Sequence, residues 1–283
     1  MKLISSIPMP AWAAGFKVDT YRCGACHTIL PLRRVSNRKT GIRLRESWYC
    51  SARCFTAAAE QEVSRILKAG TDHAGHVPRM PLGLSLISRG LLTVDQLKKA
   101  TDAQRETGVE MGEMLVRNGV VTEKQVTAIR AADWGCPVFT VPKYPAPIKI
   151  RIPLTLSRLY SIIPVHHVAA TNLLLVAFLH SVEYELLYAV ERMMECQTKP
   201  CFVTPRDFQI QMQHLEHMAV PSEATAKELH LENTHSAAEI AGVLCSHGLE
   251  MEADEACMEM GKDYLWARLS SELAKMDLLF RAR

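Results

Sequence analysis

The 283-residue sequence has no uninterrupted apolar run of the ~20 residues that a bilayer-spanning helix needs. Residues 3–14 are mildly apolar behind Lys2, but Pro8 and Pro10 interrupt them, which argues against a signal peptide. There is no G-x-x-x-x-G-K-[ST] loop to cradle nucleotide phosphates. The nearest string, Gly261-Lys262-Asp263, lacks both the upstream glycine and the hydroxyl residue. No nucleophile–base–acid set, cofactor fingerprint or open metal site is visible. His73 and His76 have no carboxylate or cysteine nearby to complete a site. His166 and His167 are adjacent on an expected strand, so they point to opposite faces and cannot chelate one ion together. These absences point to a soluble, cytoplasmic, non-enzymatic protein.

Net charge is only +3, but it is unevenly spread. Residues 1–70 carry 12 Lys and Arg against 4 acids, whereas residues 214–283 carry 6 against 13. Three readings follow: an anionic partner for the N-terminal segment, a solvated charged face, or a complement between the basic start and the acidic tail.

Nine cysteines are present, and four form a pattern: Cys23-x-x-Cys26, then Cys50-x-x-x-Cys54. A Cys-x-x-Cys turn aims two thiolates at one point, and residues four apart share one helix face. Two such pairs point to a structural zinc ion held by four thiolates, with no open position for catalysis. A knuckle followed by a helix-borne pair resembles a treble-clef zinc finger, with a helix expected from Phe55 to Ala69. The metal would offset the small core of so short a segment. Between the pairs run Arg33, Arg34, Arg38, Lys39, Arg43 and Arg45, with Tyr21, Trp48 and Tyr49 nearby. A basic, aromatic-flanked loop of this kind (residues 33–45) could grip nucleic acid or hold a protein. Cys136, Cys196, Cys201, Cys245 and Cys257 have no ligand-like spacing and read as small buried residues.

Two stretches repeat each other at an offset of 29 residues. Leu82-Gly83, Leu86, Gly90, Thr93 and Gln96 recur as Met111-Gly112, Leu115, Gly119, Thr122 and Gln125. Each copy predicts a short apolar helix ending at a glycine, then a capping box opening a second helix. Two similar helical hairpins follow, and a paired motif suits a two-fold ligand.

The pattern Leu-Gly-x-x-Leu-Ile-x-x-Gly-x-Leu-x-x-x-Gln-Leu, closing at Gln104, resembles the N-terminal domain of type II secretion and type IV pilus assembly ATPases. The likeness extends over about residues 80–215. Arg158-Leu-Tyr160, strands at Ile162–Val165 and Leu173–Ala177, a helix near 182–195 and a strand near 199–204 look like that family's small α/β half. In the family the tandem motif binds cyclic di-GMP. By resemblance, the contacts would be Leu82, Gly83, Leu86, Gly90, Gln96, Gln104, Gly112, Leu115, Gly119 and Gln125. The chain departs from the pattern at three places. The arginine before Leu-Gly is Pro81 in one copy and Glu110 in the other, and the second closing glutamine is Asp133. Arg79 lies two residues upstream as a substitute cation.

The expected architecture is α+β and multi-domain: a zinc-finger unit (1–70), tandem hairpins (80–140), a small α/β subdomain (141–215) and an acidic C-terminal module (216–283). The last comprises a helix from Ser236 and a β-hairpin of Tyr264–Leu269 with Asp277–Arg281. Prolines 142, 145 and 147 mark a linker. The function implied is a regulatory or adaptor protein linked by resemblance to pilus or secretion machinery, its partners being proteins of that machinery and cyclic di-GMP. The alternatives are a zinc-finger nucleic-acid regulator and a purely protein-binding scaffold with a degenerate nucleotide site. Oligomeric state is not readable from the chain.

Overall fold

The tandem capping boxes organise the centre of the molecule. In the computed structural model, which describes residues 20–31, 41–69, 79–142, 148, 150–218, 227–231 and 236–281, each motif copy is a short helix followed by a longer one. The first copy is α2 (Leu82–Ser88) and α3 (Val94–Thr107); the second is α4 (Met111–Arg117) and α5 (Glu123–Trp134). They share a core of Leu86, Leu92, Ala100, Leu115, Val121, Val126 and Ile129.

After α6 (Leu154–Tyr160) comes a three-stranded layer, β5 (Ile162–Val168), β6 (Leu173–Phe178) and β7 (Gln197–Phe202), ordered β5-β6-β7. β5 and β6 are antiparallel; β6 and β7 are parallel. A parallel pair needs a crossover, and α7 (Tyr184–Met194) supplies it. α8 (Pro205–Met218) closes this part, donating from the Gln211 side-chain amide to the Pro164 carbonyl at 3.0 Å.

The two chain ends come together in one sheet. β1 (Thr20–Arg22) and β2 (Ile29–Pro31) form a small hairpin around the first cysteine pair. The next hairpin, β3 (Ile42–Leu44) and β4 (Ser47–Tyr49), leads into α1 (Ala52–Ala69). β8 (Lys227–Leu231), α9 (Ala237–Glu250), β9 (Glu255–Gly261), β10 (Tyr264–Ser270) and β11 (Lys275–Arg281) come from the C-terminal part. These strands form one six-stranded sheet, ordered β4-β3-β9-β10-β11-β8. The N-terminal unit and the C-terminal module therefore share a sheet, and a boundary that separates them is not followed by the strands. The reason is physical: a hairpin of three-residue strands is marginal alone and gains a ladder from β9.

Both faces of this sheet are covered. Leu265, Ala267 and Leu269 of β10 face α1 and α9, packing with Phe55, Ala59, Val63, Ile66, Ile240 and Leu244. Tyr264 and Trp266 face the other way and pack with Leu186, Val190 and Met193 of α7. β10 and β11 thus read as nearly continuous apolar runs because no face is left to water. Between them, Asp277 is 7% exposed and receives Arg268 in a bidentate pair at 2.7 and 2.9 Å, with the Trp266 indole N–H donating at 2.8 Å. The α+β class is as expected, and among the described residues no helix is long and apolar enough to cross a membrane.

Candidate functional site

The cysteine cluster is assembled by the two hairpins and the start of α1. The Cys23–Thr28 turn is tied by the Cys23 N–H donating to the Thr28 carbonyl and the Gly24 N–H to the Trp48 carbonyl, both at 2.9 Å. That second bond brings the knuckle against β4, which ends beside Cys50. Cys54 sits in the first turn of the helix. All four sulfurs lie within 4.8 Å of one another, with Cys26–Cys50 at 3.4 Å and Cys50–Cys54 at 3.9 Å. A tetrahedral ion with zinc–sulfur bonds of ~2.3 Å requires sulfur–sulfur separations of ~3.8 Å, so the donor set fits.

Cys23, Cys26 and Cys50 do not ionise alike. For Cys23, burial opposes ionisation, but backbone N–H groups of Cys26, Cys50 and Ala25 outweigh it and lower the pKa. The Thr28 hydroxyl and backbone N–H, with neighbouring thiols, bring Cys26 down to about 6. Burial and the surrounding thiols push Cys50 up to about 12. A space that favours one thiolate and refuses its neighbour needs positive charge to hold all four ionised. Other cysteines do not join this cluster. Cys201 is buried and pushed up to about 12, and burial also raises Cys136, Cys196 and Cys257.

The motif residues of the tandem hairpins fall into three groups. Leu86 and Leu115 are buried in the hairpin core, and Leu82 packs against it. Gly83 and Gly112 are buried where helices approach: a Cβ on Gly83 would overlap Leu97 of α3, and one on Gly112 would meet Arg130 and Val126. Gly90 and Gly119 adopt φ of 70° and 68° and form matching helix ends. In the first, Gly90 N–H donates to Ile87 and Leu91 N–H to Leu86; in the second, Gly119 donates to Val116 and Val120 to Leu115, all at 2.9–3.0 Å.

Gln96 and Gln125 are occupied as caps. Each accepts from the backbone N–H of its threonine, Thr93 at 2.9 Å and Thr122 at 2.8 Å, while the threonine hydroxyl accepts the glutamine N–H. Gln104 is half-exposed on α3, where its carbonyl accepts the Gly108 N–H.

The three departures from the family pattern all have structural duties. Pro81 and Glu110 are the N-caps of α2 and α4. Glu110 accepts the Glu113 N–H at 3.1 Å and pairs with Arg130 at 2.7 Å. Arg130 is 11% exposed and also donates to the Leu179 carbonyl, tying the second hairpin to the three-stranded layer. Burial opposes the Glu110 carboxylate, yet Arg130 and the Gly112 and Glu113 N–H groups hold its pKa below the ordinary carboxylate value. Asp133 pairs with Arg89 at 2.9 Å. Arg79 lies over the Trp134 ring at 3.9 Å and donates to the Asp133 carbonyl. It is thus turned to the end of α5 rather than standing free beside Leu82. Arg89 and Arg130 escaped the sequence reading because their partners lie 44 and 20 residues away.

Of the basic stretch, Arg33, Arg34, Arg38 and Lys39 lie outside the described residues, as do His73, His76, Pro145 and Pro147. Arg43 is exposed on β3; Arg45 pairs with Glu62 and with Glu259. Arg45 therefore serves the seam between the chain ends. His166 stacks near Phe139, and His167 contacts Asn172 at 3.1 Å.

A regular pair of capped hairpins joined to a β-β-α-β layer defines the class: the centre of the chain is similar to the N-terminal domain of type II secretion and type IV pilus assembly ATPases. The chain is 26% identical over 129 residues, 45% of its length, to the type IV pilus assembly ATPase PilB of Thermus thermophilus. It is 28% identical over 88 residues, 30% of its length, to PilB of Myxococcus xanthus. The matched parts span 14% and 15% of those proteins. Among solved structures, MshE with cdg is 19% identical, with a TM-score of 0.38, covering 49% of this chain and 99% of that one. The N-terminal domain of XpsE is 15% identical, with a TM-score of 0.37, covering 47% and 91%. No family model matches.

Proposed function

We propose that the chain is a non-catalytic adaptor or regulatory module of type IV pilus or type II secretion machinery. The Cys23, Cys26, Cys50 and Cys54 thiolates hold a structural zinc ion, and the tandem hairpins carry a cyclic di-GMP site. The observation that supports the ligand reading is the equivalence of the two copies. Both keep the same buried glycine, the same left-handed helix end and the same capping box at one offset. A two-fold ligand meets such a pair symmetrically. Gln104 on the first copy, whose second-copy counterpart is Asp133, makes the first copy the stronger half.

The Glu110–Arg130 pair favours a second reading, a protein-binding scaffold. A carboxylate stands where the related ATPases carry arginine, and its charge is satisfied internally. Calorimetric titration of the full chain with cyclic di-GMP separates the two. The sensor reading expects micromolar binding weakened about tenfold or more by Gln104→Ala, a substitution that leaves the hairpin core intact. The scaffold reading expects no heat, and retention of protein partners in a pull-down.

A further inference from the structure

Among the described residues, the core beneath the six-stranded sheet is built from the chain's two ends. Phe55, Ala59, Val63 and Ile66 come from α1; Ile240 and Leu244 from α9; Leu265, Leu278 and Phe280 from β10 and β11. No buried residue from 79–218 belongs to it. The tandem hairpins have a core of their own, and so does the α8 face of the three-stranded layer, whose other face shares Tyr264, Trp266 and Leu279 with the six-stranded sheet.

Within the sheet, the seam joining the ends is narrow. β3 meets β9 over Arg43 with Glu255 and Leu44 with Ala256, supplemented by the Arg43 N–H donating to the Asp254 carbonyl at 2.8 Å. Arg45 adds one ion pair across it, to Glu259. Exposed pairs of this kind contribute little each. α1 packs on α9 through Phe55, Ala59, Val63 and Ile66, and where that packing begins is set by the placement of the α1 N-terminus. That end carries Cys50 and Cys54, and the Cys245 thiol of α9 lies 3.8 Å from the Ala52 carbonyl. The segment that brings the knuckle is too short to bury a sufficient core alone.

We infer that metal occupancy of the cysteine cluster controls the union of the two chain ends, an inference that rests on reading the cluster as a metal site. With the ion bound, β3, β4 and α1 join β9–β11 and α9 in one domain. With it removed, the N-terminal segment detaches, and α9 and β9 loosen although they contain no metal ligand. The tandem hairpins and three-stranded layer stay folded. Metal binding thus acts as folding free energy for a segment nearly two hundred residues beyond the last ligand.

The test is hydrogen–deuterium exchange of the full chain loaded with zinc, before and after removal of the ion by a chelator, with zinc content measured in both samples. On removal, peptides from 52–69, 237–250 and 255–261 should gain exchange together by about tenfold or more, and zinc re-addition should reverse it. Peptides from 94–107, 123–134 and 162–178 should keep their protection. A gain confined to residues 20–50, or one spread equally over the chain, overturns the inference. A chain that never takes up zinc overturns the metal reading itself. Arg45→Ala lies outside the cluster and provides a second reading: it should lower the chelator concentration needed to release 237–261, and no change contradicts the seam.

Discussion

Leu44 and Ala256 lie side by side in parallel strands, and this pairing makes one sheet from the beginning and the end of the chain. Beside it, Arg45 of the basic segment meets Glu259 of the acidic one. The hairpin repeat and its α/β layer are thereby carried between two segments of another domain. α7 lies between the three-stranded layer and the outer face of the six-stranded sheet, so the two parts share the core of Leu186, Val190, Tyr264 and Trp266.

The Arg268–Asp277 pair lies inside that shared interface. Asp277→Ala should destabilise the protein by about 3–5 kcal/mol, because it leaves a guanidinium without its carboxylate. The double change Arg268→Met with Asp277→Leu should recover most of this loss. The Trp266 N–H, which also uses Asp277, then keeps a residual cost of ~1–3 kcal/mol. Chemical denaturation of the unaltered protein, Asp277→Ala and the double variant checks this order.

Two glycines of the repeat should fail for different reasons. Gly83→Ala forces Leu97 to move within a packed seam and should cost about 1–3 kcal/mol. Gly90→Ala meets no atom within 4 Å but must hold φ at 70°, a strain of about 1–2 kcal/mol. Thermal unfolding of each variant checks the order. If Gly90→Ala were neutral, the left-handed helix end would not be required.

Glu110 gives the hairpins a pH dependence of definite sign. Its folded pKa lies below the ordinary value of 4.5, so its contribution is present above that pH and is lost as the pH falls through the folded pKa. Glu110→Gln should flatten the acid limb of the stability curve and leave neutral stability lower by about 1 kcal/mol or less, as befits a partly exposed pair. Denaturation midpoints at pH 7 and pH 3 measure this. An unchanged acid limb would mean that Arg130 does not hold the carboxylate.

The local features were legible and the non-local ones were not. Thr93–Gln96, Thr122–Gln125 and Ser236–Glu239 form capping boxes because each needs only a threonine or serine and its neighbour three residues on. The β10–β11 hairpin was equally clear from its apolar runs. β9 was missed although Ala256, Met258 and Met260 alternate with Glu255, Cys257 and Glu259, a pattern that a strand with one face on the core produces. β3 was missed because three residues carry no pattern, and its partner lies at the other end of the chain. In the cysteine cluster the ligand types and spacing were visible, whereas the Thr28 hydroxyl beside Cys26 was not. The partners of Glu110 and Asp133 were invisible for the same reason: an ion pair between separate helices leaves no periodic trace.

Cys50 should be the least replaceable ligand. It sits between Cys26 and Cys54, so Cys50→Ser removes the thiol that contacts both pairs. Bound zinc, measured by elemental analysis, should fall from about one per chain to near zero. Cys136→Ser, which lies outside the cluster, should leave it unchanged.

The central claim, that these hairpins form a nucleotide-responsive module, is tested most directly by native mass spectrometry of the intact chain with cyclic di-GMP. The retained zinc ion serves as an internal check of folding. The account predicts a complex carrying both zinc and nucleotide, reduced by Gln104→Ala. Zinc-loaded chain that retains no nucleotide at concentrations of hundreds of micromolar, some ~100-fold above a micromolar dissociation constant, would contradict it.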